Sequence, residues 1–195
     1  MKPDLMTWVT TGKLNTVDDV EPASYVADPV VARWQGIVGH KWTVDKDEAL
    51  LLSDTAIGTL YGGDYQYVRF KSVVSGTFTR GKIVYWDDRD NFIVTVDAPA
   101  DARDVAGLLL ATQTAGRYGF IQNGGLCSGL YRASVTDTTI GAPVFVLDDD
   151  VVLDALAIAT AWTGGHMTRF IGTAVEAPAN SAIKLVRWNR GTFHI

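Results

Sequence analysis

The sequence predicts an all-β protein: an antiparallel β-barrel or sandwich with an internal duplication and an irregular N-terminal arm. Three observations point there. Apolar residues alternate with the two-residue period of a half-buried strand at Phe92–Val96 and again at Gly129–Val135. Nineteen glycines punctuate a chain rich in Val, Thr, Tyr, Phe and Trp, the residues that suit a pleated surface. Finally, Gly81-Lys-Ile-Val-Tyr-Trp-Asp-Asp88 lines up with Gly141-Ala-Pro-Val-Phe-Val-Leu-Asp148 at an offset of 60 residues, from 81 to 141.

Taken in order, residues 1–24 read as an arm. Leu5, Met6, Trp8, Val9 and Leu14 follow no helix or strand period, and Asp18–Pro22 separates them from the rest. Residues 25–66 read as an N-terminal β-rich segment. Short strands are expected at Val30–Trp34, Ile37–Gly39 and Lys41–Val44. One helical turn is expected at Asp47–Leu52 with Asp45 as its cap. Gly62-Gly63, set among Tyr61, Tyr65 and Tyr67, marks a turn into a strand.

The main β domain is expected over 67–195. Tyr67–Val74 and Lys82–Trp86 read as strands. Asp87–Asn91 reads as a turn, because Asp and Asn side chains bond their own backbone. Phe92–Val96 returns as the next strand. The centre of the chain, Ala106–Val135, reads as a three-strand meander: Leu108–Ala111, then Gly116–Gln122 entered through a glycine turn, then Gly129–Val135. After it the pattern repeats. Beyond the match of 81–88 with 141–148, Ala106-Gly107 answers to Ile171-Gly172, and Tyr118–Gln122 to Ile183–Trp188. Asp154–Trp162 between them fits a helix or a strand equally.

Composition narrows the function. With 47% hydrophobic and 20% charged residues, the 195-residue chain can bury a core and is not of disordered type. A net charge of −5 argues against nucleic-acid binding, which usually needs a basic stripe. The one cysteine, Cys127, reads as a small buried side chain and excludes an intrachain disulfide. No secretory pattern opens the sequence and no apolar run approaches a membrane span, so a soluble protein made without export is expected.

Candidate chemistry is sparse. Ala106–Val135 contains no His, Asp, Glu or Lys. His40, Asp64 and Ser128 occur in the order used by one serine-protease fold, but Gly-Leu-Cys-Ser128-Gly-Leu lacks the surroundings of a nucleophilic serine. Asp148-Asp149-Asp150 with Asp154, and Asp87-Asp88 with Asp90-Asn91, offer oxygens to a hard cation without the spacing of a calcium loop. They read as solvated turns. His166 and His194 stand alone, and neither Gly124-Gly125 nor Gly164-Gly165 continues as a phosphate loop. No enzymatic activity, metal or cofactor is expected.

From Tyr65 onward an ordered series of motifs stands out. Its members are Tyr65–Phe70, Gly81–Asp87, Val105–Leu108, Gly116–Gln122, Gly141–Val144 and Ile171–Pro178. The series resembles the capsid decoration, or cement, proteins of tailed bacteriophages, over about two-thirds of the chain. The resemblance implies a β-rich virion protein on the capsid surface, made in the host cytoplasm. It implies binding to the major capsid protein, often as a homotrimer, with contacts between capsomers reinforced. Partners from nucleic acid or membrane are not implied. The first 64 residues depart from the family pattern, so the mode of docking is theirs to set. Leu5, Met6, Trp8, Val9, Leu14, Tyr25, Arg33 and Trp34 are then the candidate capsid contacts. The competing expectation is a host-surface or tail-associated carbohydrate-binding module. It requires an aromatic cleft with convergent polar groups.

Overall fold

The computed structural model describes residues 38–51, 59–98, 104–146, 151–155 and 170–188. Nearly all of the regular structure is strand. Strand β1 (Lys41–Val44) is followed by a six-residue helix, α1 (Lys46–Leu51). Next come β2 (Gly63–Phe70), β3 (Ile83–Asp88), β4 (Ile93–Thr95), β5 (Val105–Leu109) and β6 (Tyr118–Gln122). These five join in the order β2-β4-β3-β5-β6, and β6 pairs back to β2, which closes a barrel. Strand β1 lies antiparallel on the first half of β2, from Lys41 opposite Gln66 to Val44 opposite Gly63.

Alternation decides what each face of β2 buries. Val68 and Phe70 point into the barrel with Val84, Val94, Ala106, Leu109 and Ile121. Tyr65 and Tyr67 point outward, where β1 and α1 cover them with Val44 and Ala49, beside Leu60, Phe120 and Ala111. A closed barrel thus supplies one core inside and a second under its cover.

A second five-strand sheet follows: β7 (Gly125–Leu130), β8 (Pro143–Val146), β9 (Leu153–Ala155), β10 (Phe170–Ala174) and β11 (Ile183–Trp188). Its order is β7-β11-β10-β8-β9. A parallel bridge between Tyr131 and Leu153 links its two outer strands, where the parallel pair β2–β4 closes the first unit. Strand for strand, β7 to β11 repeat the connections and pairing senses of β2 to β6.

The repetition extends to register. In the first unit Ile83 faces Leu108, Val84 faces Gly107, and a slip brings Tyr85 opposite Val105. In the second, Pro143 faces Thr173, Val144 faces Gly172, and a slip brings Phe145 opposite Phe170. Gly81 N–H donates to Leu109 O at 2.8 Å, and Gly141 N–H to Ala174 O at 2.8 Å. Both glycines hold a positive φ, +80° and +87°. The same turn before β6 and β11 puts Gly116 at φ +82° and Ser181 at +52°. The duplication suggested by the sequence is therefore present in the fold. At one pair of core positions volume is kept rather than identity: β5 places Ala106 and Leu109 where β10 places Ile171 and Ala174.

The two units share one core. Ile83, Tyr85, Val105 and Leu108, on the outer face of the first, cluster with Cys127, Tyr131, Val144, Leu153, Val186 and Trp188 of the second. Ile83 N–H donates to Val151 O at 2.8 Å, and Leu130 N–H to Gly81 O at 2.8 Å. Where β2 and β7 begin, backbones cross so closely that a Cβ on Gly63 would overlap Gly124 O, and one on Gly125 would overlap Gly62 O.

Three local expectations need correction. The strand expected at Gly129–Val135 lies at Gly125–Leu130, since beyond Tyr131 the chain leaves its partner and Arg132 N–H bonds Leu153 O at 2.9 Å. The meander expected across Ala106–Val135 stops after two strands, because β7 pairs with β11 instead of β6. The pairing is antiparallel except at β2–β4 and the Tyr131 bridge. Strand β2 also begins at Gly63 rather than Tyr67.

Candidate functional site

A cleft of about 510 Å³ opens beside the junction of the two units. Strand periodicity builds its floor. Lys41 and Thr43 share one face of β1, and Asp64 and Gln66 share the adjoining face of β2, with Lys41 opposite Gln66 and Thr43 opposite Asp64. Trp86 and Arg89, from the end of β3 and its turn, form one wall. Val105, Ala106, Asn123 and Trp188 complete the lining.

Hydrogen bonds hold the polar groups in place. Thr43 Oγ1 donates to Asp64 Oδ1 at 2.7 Å. Gln66 is buried; its Nε2 donates to Gly39 O at 3.0 Å and its Oε1 accepts from Asn123 Nδ2 at 3.1 Å. Behind them Gln122 Nε2 donates to Gly124 O and Leu126 O, at 3.1 and 2.9 Å. On the wall, the Arg89 guanidinium lies over the Trp86 ring, 5.9 Å from its centroid, and bonds Asp104 at 2.8 Å. Phe92 meets the same indole edge-on at 6.3 Å. Lys41 is exposed and forms no ion pair among the described residues. Among the described residues, the lining carries two cations and one carboxylate, with no His, Cys or Ser.

The residues singled out from the sequence fall elsewhere or have local roles. Of the serine-protease order, Asp64 receives the Thr43 hydroxyl, Ser128 lies on β7 opposite Leu185, and the His40 carbonyl accepts Tyr67 N–H at 3.1 Å. In the first acidic turn, Asp88 accepts the N–H groups of Asp90 and Asn91 at 3.1 Å and the Asn91 side-chain amide at 2.7 Å. The Asn91 side-chain amide above all holds the Asp88 carboxyl below the usual range. Asp87 pairs with Lys71 at 2.6 Å. Asp154, buried on β9, accepts Arg132 at 3.3 Å and both Thr136 N–H and Oγ1 at 3.0 Å. Cys127 is buried, and burial pushes its thiol pKa up. Asp148–Asp150, His166 and His194 lie outside the described residues, as do Leu5, Met6, Trp8, Val9, Leu14, Tyr25, Arg33 and Trp34. The cleft itself was not read from the sequence. Its one visible signal was the polar alternation Lys41-x-Thr43 and Asp64-x-Gln66 in otherwise apolar strands.

No protein family matches the chain, and no curated protein matches it. Among solved structures it is similar to the N base of head fiber gp8.5 of bacteriophage phi29, at 12% identity and a TM-score of 0.43. That likeness covers 67% of this chain and 98% of the other. It is a distant likeness to a phage head protein and carries no functional argument.

Proposed function

We propose that the chain is a structural protein of a phage virion, of the decoration type, which binds the outer surface of the head and reinforces contacts between capsomers. The supporting observation is where the family-like motifs fall. Tyr65–Phe70, Gly81–Asp87, Val105–Leu108, Gly116–Gln122, Gly141–Val144 and Ile171–Pro178 overlap β2, β3, β5, β6, β8 and β10 and the turns beside them. The resemblance thus follows the strands of both units rather than scattered loops. A body with one core shared between two closely joined units also suits a protein that bears load across a lattice. Its partners on this reading are the major capsid protein and, on the capsid, two further copies of itself.

Purified heads test it. The protein should copurify in a fixed ratio to the major capsid protein, and removal of residues 1–21 should weaken binding to undecorated heads tenfold or more, at least ~1.4 kcal/mol, with little change in Tm. A ratio that drifts between preparations, or protein that washes off heads entirely, would overturn the proposal. Unfolding of the truncated chain would place the arm in the core instead.

A further inference from the structure

We propose that the cleft between the β1–β2 ladder and the β3–β4 turn binds an anionic saccharide. This does not rest on attachment to a head. At about 510 Å³ the cleft falls within the size range of small-ligand sites.

Its polar groups match a polyhydroxylated ligand. Thr43 holds Asp64, Asn123 holds Gln66, and Gln66 also bonds Gly39 O, so little side-chain ordering is needed on binding. Gln66 is buried behind the site, and the others keep capacity for the ligand. Asn123 Oδ1 and the second oxygen of Asp64 accept, and the Thr43 hydroxyl, already donating, also accepts. Such a row of acceptors and amides suits sugar hydroxyls, which both donate and accept.

Charge selects an acidic sugar. Lys41 and Arg89 outnumber Asp64 among the described lining residues, although the chain as a whole carries −5. Lys41 has no ion-pair partner among the described residues. The Arg89–Asp104 pair has side chains 62% exposed on both sides, so it is a weak competitor for a carboxylate held by the guanidinium. Arg89, held over the Trp86 ring, presents its guanidinium from the wall of the cleft. A polynucleotide would need a basic stripe well beyond two cations.

The test uses the full chain, short oligogalacturonates and sialyllactose as acidic probes, and lactose and neutral galacto-oligosaccharides as controls. Calorimetric titration should show at least one acidic probe binding about tenfold or more tightly than its neutral counterpart. Backbone amide shifts should centre on Gln66 and Asn123. Lys41→Glu and Arg89→Ala, both at exposed side chains, should each weaken the acidic probe by about tenfold while leaving Tm unchanged. Absence of binding by every acidic probe, equal binding of neutral ones, shifts centred elsewhere, or affinity untouched by Lys41→Glu would each overturn the proposal. None of these outcomes bears on whether the protein is found on heads.

Discussion

Gly125 stands where the chain passes from the first unit to the second, with φ +83° and the backbone of Gly62-Gly63 against its Cα. Gly141 holds a similar φ of +87°, but a Cβ there would meet nothing within 4 Å. Comparing them separates strain from crowding. Gly141→Ala should cost about 1–2 kcal/mol from left-handed strain alone. Gly125→Ala should cost clearly more, read as a larger drop in urea midpoint at unchanged slope. Equal losses would mean that the crossing is not tight. Both glycine pairs were visible in the sequence, Gly62-Gly63 as a turn signal and Gly124-Gly125 as a pair that does not continue as a phosphate loop. That they abut was not, because the residues that meet lie far apart along the chain and only closure of the barrel brings them together.

At the scale of elements, each unit ties the loop after its first strand through an acid, on the third strand in the second unit and two residues past it in the first. Ser75 donates from N–H and Oγ to Asp97, at 2.8 and 2.5 Å, as Thr136 does to Asp154. The Ser75 hydroxyl first, then its amide, holds the Asp97 carboxyl below the usual carboxylate range. A depressed folded pKa stabilises the fold above the ordinary value, and that stability is lost as pH falls through it toward the folded value. Asp97→Asn should therefore lower Tm at neutral pH and flatten the acid limb below about pH 4. Coincident acid limbs for the two proteins would show that this bond contributes nothing. Strand existence was legible through alternation, as at β4. Strand ends were less so. The pattern of Gly129–Val135 continues into a loop because Val135 still packs against the core after the backbone has turned away beyond Tyr131. Strand partners were not legible at all: nothing local in β7 says that it pairs with β11 rather than β6.

In the whole molecule, the duplication was legible where backbone geometry demands the same residue twice, as at Gly81 and Gly141. It was blurred where cores trade volumes, as between Ala106 with Leu109 and Ile171 with Ala174. The cleft was hidden because its lining converges from separate strands and turns. The common core makes a further demand. Leu108 belongs to the first unit yet packs in a cluster made largely of the second. Leu108→Ala should cost about 2–5 kcal/mol and lower a single calorimetric transition. Calorimetric and van't Hoff enthalpies should agree for the described body as one cooperative unit. Two transitions, with only one moved by the substitution, would show units that fold separately.

Amide hydrogen exchange followed by NMR tests the duplication most directly, because it reads the equivalent bonds one by one. The pairs are Gly81 with Gly141, Leu109 with Ala174, and Phe70, whose N–H donates to Arg117 O, with Tyr131, whose N–H donates to Ala182 O. Matched protection in each pair is the expected result. Strong protection of Gly81, Leu109 and Phe70, while Gly141, Ala174 and Tyr131 exchange at the rate of an unfolded chain, would contradict a fold built twice on one plan.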